Sequence, residues 1–155
     1  MKTYRQGWLG ALMDEYERAA GELTRILEGI SDEDYALVRD TETRDEQCRS
    51  IRTILTHVLG AGYGYAGMLR KAWGLERIGY AREAVARADA PAALRAMLDH
   101  TVATLEGKWS LSEDEGAALQ IRSGWGAVYD LEQLLEHAIV HVLRHRRQIE
   151  RFLHR

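Results

Sequence analysis

The sequence DLEQLLEHAIVHVLRHRRQIERF, from Asp130 to Phe152, carries several helix signals that agree with one another. Asp130 can cap a helix, and Gln133, three residues later, is a capping-box partner for it. Tyr129, just before the cap, can pack against Leu134 as a hydrophobic staple. Apolar residues then recur at spacings of three and four, the period of an amphipathic helix. The segment therefore predicts a helix that begins near Asp130 and continues to Phe152 or beyond.

Three other stretches show the same helical period, and strand-like alternation is almost absent. They lie at about residues 3–29, 46–73 and 91–106. Long connections separate the second helix from the third, at residues 74–90, and the third from the fourth, at residues 108–129. Four amphipathic helices of this length predict an all-α four-helix bundle.

Length and charge restrict the possible classes of protein. The 155 residues are enough for one domain with a full hydrophobic core, spanning 1–155, and too few to suggest two. The chain has 21 Lys and Arg against 24 Asp and Glu, a formal net charge of −3. This balance argues against a general nucleic-acid binder, because such proteins normally carry a basic excess.

Location is also predicted from composition. The longest apolar run, residues 58–69, is well short of the roughly 20 residues that a membrane helix needs. The N-terminal apolar stretch meets acidic residues at once, so we interpret it as the start of a helix rather than a signal peptide. The single cysteine, Cys48, fits a reducing compartment. We therefore expect a soluble, cytoplasmic protein.

Three of the six histidines lie four residues apart on the fourth predicted helix, at His137, His141 and His145. At about 100° per residue, His141 and His145 fall inside the apolar sector, about 40° apart in azimuth and about 6 Å apart along the axis. Their imidazoles can therefore converge on one point. His137 lies at the edge of that sector. On the second helix, His57 is also centred on an apolar face.

Two interpretations of these inward histidines stay open on the residues alone. A single inward histidine is more often a hydrogen-bonded core residue than a ligand. Three are harder to satisfy mutually, whereas a divalent metal would give their neutral nitrogens one target, with water in an open position. A metal site and a polar core cluster are about equally favoured. The other two histidines, His100 and His154, are predicted to lie on the surface.

Two segments resemble a known family. The sequence HVLRHRRQI, from His141 to Ile149, resembles the HxxxHRxQ motif of the DinB-like (DinB/YfiT-like) superfamily of metal-binding bundles. The segment RSIRTILTHVLGAGYGY around His57 resembles the second-helix motif of that family, in which one histidine supplies the third ligand. The resemblance covers essentially the whole chain and departs from the family at Arg147, where relatives often have a small residue. It implies a four-helix bundle in a variant of up-and-down topology, often dimeric.

The resemblance also implies a site. The implied ligands are His57, His141 and His145, holding nickel, zinc or iron with water completing the shell. His137 and Gln148 would lie beside the ligands and support them. The better-understood relatives transfer or isomerise substrates with low-molecular-weight thiols such as bacillithiol or mycothiol, and many others have no known activity. A thiol-dependent S-transferase or isomerase is therefore implied, and a non-catalytic metal- or small-ligand-binding dimeric bundle is the alternative.

Few other residues suggest chemistry. A metal held by three histidines can lower the pKa of a bound water or thiol, so the nucleophile of an enzyme would come from the solvent or a cosubstrate. Tyr65, two turns after His57 on the same face, can donate a hydrogen bond into the cavity or simply pack. Cys48 is predicted on the opposite helix face from His57, as neither ligand nor nucleophile. The connection at residues 108–129 could cover a pocket mouth.

A second apolar face predicts self-association. Ile139 and Leu143 lie away from the core sector of the fourth helix, as Leu55 and Leu59 do on the second. Helices that are apolar on two sides are usually buried on two sides. We therefore predict a homodimer that uses these outer faces.

Overall fold

The computed structural model describes residues 3–154, most of which are helical. In chain order the elements are α1 (Gly7–Glu28), α2 (Asp32–Ala36), α3 (Ile51–Ala72), α4 (Ala90–Thr104), α5 (Glu113–Ala117), β1 (Ile121–Arg122), β2 (Val128–Tyr129) and α6 (Leu131–Leu153). Short 3-10 turns precede α3 and α4, at Glu46–Cys48 and Arg87–Asp89. The predicted all-α bundle is confirmed, with α1, α3, α4 and α6 as its four long helices.

Each long helix packs against two others: α1 contacts α4 and α6, and α3 contacts the same two helices. The core between them is largely aliphatic, with side chains such as Leu9, Leu23 and Ile54 fully buried. Helices α3 and α4 approach closely at Gly62, where a Cβ atom would overlap the side chain of Met97. The contact between α3 and α6 positions the candidate site.

The start of α6 agrees with the sequence pattern. The Asp130 side chain accepts a hydrogen bond from the Gln133 amide at 2.8 Å, and Gln133 Oε1 accepts one from the Asp130 amide at 3.0 Å. The capping box is therefore confirmed, and the helix runs from Leu131 to Leu153. Both ends lie where the apolar periodicity places them.

The second predicted helix begins later than expected. Ser50 caps α3 by exchanging hydrogen bonds with Thr53, each accepting from the other's backbone amide at 3.0–3.1 Å. The residues before this cap, Glu46–Cys48, form a separate 3-10 turn instead of the first helical turn. Helix α1 also begins later, at Gly7, which has a φ of +77°. The prediction that the second helix begins near residue 46 was wrong. Ser50 has an extended backbone and is the N-cap, so α3 begins only at Ile51.

The two long connections differ in content. The second holds α5 and the β1–β2 hairpin, in which Ile121 pairs with Tyr129 and Arg122 with Val128. Strands of two residues are too short to show alternation in the sequence. The first connection, between α3 and α4, is mostly irregular and lays arginine side chains across α3, Arg77 at Gly67 and Arg82 at Gly60.

The outer faces predicted for dimerisation are only partly exposed. Leu55 and Leu59 are fully buried within the chain, so their placement on an outer face was wrong. Both belong to the hydrophobic core, and α3 is packed on several sides because it contacts α2 and the 3-10 turn before it in addition to its bundle neighbours. Ile139 and Leu143 are half-buried against the core. A homodimer stays a prediction, without the support of Leu55 and Leu59.

Among residues 3–154, no helix combines the length and apolar character required to span a lipid bilayer.

Candidate metal centre

The three inward histidines meet between α3 and α6. One ring nitrogen from each of His57, His141 and His145 lies within 4.8 Å of the others. The Nε2 atoms of His57 and His141 are 2.9 Å apart. The three rings are mutually tilted, with centroids 4.5–4.8 Å apart. Histidines that are 84 residues apart in sequence therefore direct nitrogens at one small volume.

Two glutamine side chains determine which nitrogens face this volume. Nδ1 of His145 is 3.0 Å from Gln148 Oε1, and Nδ1 of His57 contacts Gln47 Oε1. An amide oxygen only accepts hydrogen bonds, so each Nδ1 must carry the hydrogen and donate it. Nε2 of His57 and of His145 is then a bare lone pair, which is the form that binds a metal.

Burial keeps the three rings neutral. Burial, followed by the charge of His145, lowers the pKa of His141 to about 3. Burial also lowers the pKa of His57 and of His145, and the positive charge of Arg144 acts in the same direction on all three rings. The cluster is therefore a set of unprotonated imidazoles at neutral pH.

The donor set fits a divalent transition metal. Three neutral imidazole nitrogens are the typical ligands of zinc, nickel and iron sites that keep an open position. Mutual hydrogen bonding satisfies the cluster less completely. If His141 Nε2 carries a proton, it can donate a hydrogen bond to His57 Nε2. Nε2 of His145 then points at the same small volume and receives no hydrogen bond from that proton. The three histidines could thus hold a metal ion.

The family model of the DinB family matches residues 1–155. The chain belongs to the DinB family. No curated protein matches the sequence.

Two solved structures share the DinB fold of this chain. One is a mycothiol-dependent maleylpyruvate isomerase, with a TM-score of 0.59 and 19% identity over 96% of this chain and 63% of that one. The other is a histidine-to-alanine mutant of a mycothiol-dependent maleylpyruvate isomerase, with a TM-score of 0.58 and 17% identity over the same shares. The chain thus spans 63% of the length of these structures. At this identity the likeness shows the fold.

An aromatic cluster borders the histidines of this DinB-family chain on one side. His137 packs against Tyr65, Trp125 and Tyr129, with ring centroids 5.3–5.7 Å apart. The buried Tyr65 ring also meets His141 edge-on at 5.8 Å. Burial raises the pKa of Tyr65 to about 12, so its phenol keeps its proton. The structure therefore places His137 beside the three histidines, half-buried among aromatic rings.

The sequence interpretation missed Gln47 and misplaced Cys48. Both residues lie in the 3-10 turn before α3 and not on a helix face. Cys48 Sγ is 3.4 Å from Asp45 Oδ2 and is also hydrogen-bonded to Gln148, the partner of His145. Burial raises the pKa of the Cys48 thiol, which keeps it protonated. The Ser50 cap is the sequence signal that separates this turn from the helix, but it is a weak one because Thr53 stands where a capping box usually has Glu or Gln.

Two further placements concern residues away from the cluster. His100 was predicted on the surface, but it is half-buried against Tyr63, with ring centroids 5.2 Å apart, and Tyr63 in turn stacks on Tyr80 at 4.0 Å. The irregular connection before α4 supplies Tyr80, which the helix period alone could not place. His154 is exposed, as predicted.

Proposed function

We propose that this chain is a metal-dependent enzyme that acts on its substrate together with a low-molecular-weight thiol, as an S-transferase or isomerase. In this proposal His57, His141 and His145 hold a divalent nickel, zinc or iron ion. The observation that carries it is the convergence of three neutral imidazoles, two of which are oriented by glutamine oxygens. Such support of the ring that binds the metal is typical of metal centres.

The residues around the cluster have separable roles in the proposal. When bound, the metal would lower the pKa of a coordinated thiol towards neutral pH. Gln47 and Gln148 hold His57 and His145 in the tautomer that presents Nε2. Burial keeps the rings free of competing protons. Tyr65 packs edge-on against the His141 ring on one side of the cluster.

The thiol is proposed on two grounds. Three protein ligands leave a position open, and no Cys or Ser nucleophile contacts the cluster within residues 3–154. The structures with the same fold are described as mycothiol-dependent isomerases. A cytoplasmic location, where such thiols stay reduced, and a homodimer complete the proposal. The alternative is a bundle that binds a metal or small ligand without turnover.

Metal analysis tests the proposal first. Protein purified without an affinity tag is expected to contain close to one nickel, zinc or iron ion per chain by elemental analysis. His141→Ala should lose this metal, because it removes one of the three donors. His154→Ala is the matched control, since His154 is exposed just after the same helix and should leave the metal content unchanged.

Turnover separates the proposed enzyme from the alternative. The metal-loaded chain is assayed with mycothiol and bacillithiol, each with maleylpyruvate and with a general electrophile such as monochlorobimane. Turnover that is lost in His141→Ala would support the enzyme. A stoichiometric metal without any turnover would favour the binding module. Wild-type protein without metal would contradict the proposed enzyme and the metal-binding form of the alternative.

A further inference from the structure

A cavity of about 320 Å³ lies beside His57, and none of the aromatic residues around His137 lines it. Its wall includes Gln47, Thr53, Thr56 and Arg82. The volume is at the lower end of the roughly 300–1,000 Å³ typical of small-molecule sites. A ligand in this cavity would contact the His57 side of the histidine cluster directly.

Arg82 reaches this cavity because α3 has a glycine beneath it. A Cβ atom on Gly60 would lie 2.7 Å from Arg82 Nε and 3.0 Å from Cδ, so any larger residue would displace the arginine. Gly60 is three residues after His57 and lies on a neighbouring part of the same helix surface. The stem of Arg82 therefore lies flat across α3, and its charged end is held close to His57.

The guanidinium of Arg82 has no carboxylate partner among residues 3–154. Glu46, which also lines the cavity, is paired with Arg49 at 3.8 Å on the exposed rim. The charge of Arg82 is nevertheless close enough to His57 to lower its pKa, after the larger effect of burial. An unpaired cation beside a cluster of neutral rings attracts an anion from solution.

The composition of the wall favours a carboxylate. A guanidinium presents a planar fork that matches a carboxylate with two parallel hydrogen bonds. The wall carries Arg82 and also one glutamate, Glu46, whose charge repels a phosphate of charge near −2 more strongly than a group of charge −1. The Thr56 hydroxyl already donates its hydrogen to the Arg52 carbonyl, so it is not available as a donor to a bound anion.

We propose that Arg82 is the specificity-determining residue of this cavity, where it binds the carboxylate of a small organic substrate whose other end reaches the histidine cluster. The inference rests on the proposed function, because the cluster must hold a metal for the substrate to react there. To the proposed function it adds a substrate class, small organic carboxylates, and a role for the connection between α3 and α4, which supplies Arg82.

Carboxylate binding to the cobalt-loaded protein tests this role. Co²⁺ reports its own binding through visible absorption bands, and α,ω-dicarboxylates from malonate to adipate are titrated with their neutral diamides as matched ligands. At least one dicarboxylate should bind the wild type, and its diamide should bind much more weakly. Arg82→Ala should weaken that dicarboxylate by about tenfold or more, the usual effect of losing a charge-assisted contact.

Two variants separate the position of Arg82 from its charge. Gly60→Ala keeps the arginine but displaces its stem, so it should also weaken the dicarboxylate. Arg77→Ala is the matched control, since Arg77 lies in the same connection and crosses the same helix at Gly67, where a Cβ atom would lie 3.5 Å from its Nε. Arg77 is outside the cavity wall, so the dicarboxylate affinity of this variant should equal that of the wild type.

The outcomes distinguish this inference from the proposed function. If the cobalt bands appear and the dicarboxylate affinity is equal in wild type and Arg82→Ala, the role of Arg82 is overturned and the metal centre is not. Equal losses of dicarboxylate affinity in Arg77→Ala and Arg82→Ala would show a general effect of charge and would also overturn the role of Arg82. Inorganic phosphate that binds as tightly as every dicarboxylate would overturn the preference for a carboxylate, and the inference with it. Wild-type protein without cobalt bands would contradict the metal centre and the inference with it.

Discussion

At the scale of single residues, the tautomer and orientation of two of the candidate ligands depend on ring nitrogens that face away from the centre. Nδ1 of His57 and of His145 each bond to a glutamine oxygen, which fixes the tautomer and the ring orientation. His141 differs in having no glutamine bond within residues 3–154; its Nε2 faces that of His57, and burial is the main cause of its lowered pKa, as it is for the other two rings. The two glutamines come from different elements, so a turn and a helix together prepare the site.

Removing one of these oxygens should weaken metal binding. Gln148→Leu keeps the side-chain size but leaves Nδ1 of His145 without its acceptor, and we expect a metal affinity about 10–100-fold lower, the usual effect of losing such a partner. Competition with a chromophoric chelator measures the affinity. Gln120→Leu, at an exposed position, is the control. Equal affinity in Gln148→Leu and wild type would show that the ring needs no such support.

At the scale of elements, α3 is the helix that packs against the largest variety of other segments. It touches α4, α6, α2 and the 3-10 turn before it, and its glycines allow two close approaches. Gly62 makes room for Met97 of α4, and Gly60 makes room for Arg82. Gly64, by contrast, has no atom within 4 Å of its Cβ position.

Two alanine substitutions in α3 should therefore differ in their effect on stability. Each gains about 1 kcal/mol of helix propensity over glycine, so this gain cancels in the comparison. Gly62→Ala must also displace the buried Met97 side chain, and overpacking of this kind costs about 1–3 kcal/mol. Chemical denaturation should find Gly64→Ala more stable than Gly62→Ala by about that amount. Equal stabilities would mean that Met97 moves at no cost.

At the scale of the whole molecule, the candidate centre joins two helices that the chain separates. His57 lies on α3, and His141 and His145 lie on α6, so a bound metal would cross-link two sides of the bundle. A ligand that binds only the folded state stabilises it according to its concentration above Kd. The metal should consequently act on global stability and not only on the site.

Metal addition should raise the melting temperature of chelator-treated protein. At 100 times Kd the stabilisation is about 2.7 kcal/mol, which corresponds to roughly 5–10 °C for a chain of this length. Differential scanning calorimetry with and without Zn²⁺ measures the shift. His57→Ala should show little shift relative to its own metal-free form. A rise in melting temperature as large as that of the wild type would show that the metal binds at a site that does not use His57.

Much of this organisation was predictable from local patterns. The four long helices, the Asp130 cap and the inward orientation of His141 and His145 all follow from spacings within a single helix. The placement of Cys48 failed because a cap at Ser50 divides a turn from a helix, and that depends on one pair of hydrogen bonds.

The sequence by itself determined which residues are helical and which face of α6 is apolar, because helix periodicity and capping act over a few neighbouring residues. Only the tertiary structure decided that Gln47 reaches His57, that Arg82 lies across Gly60, and that Leu55 and Leu59 are buried. Those outcomes depend on which distant segment packs over each side of α3. Packing of this kind is a property of the assembled bundle, and no local spacing encodes it.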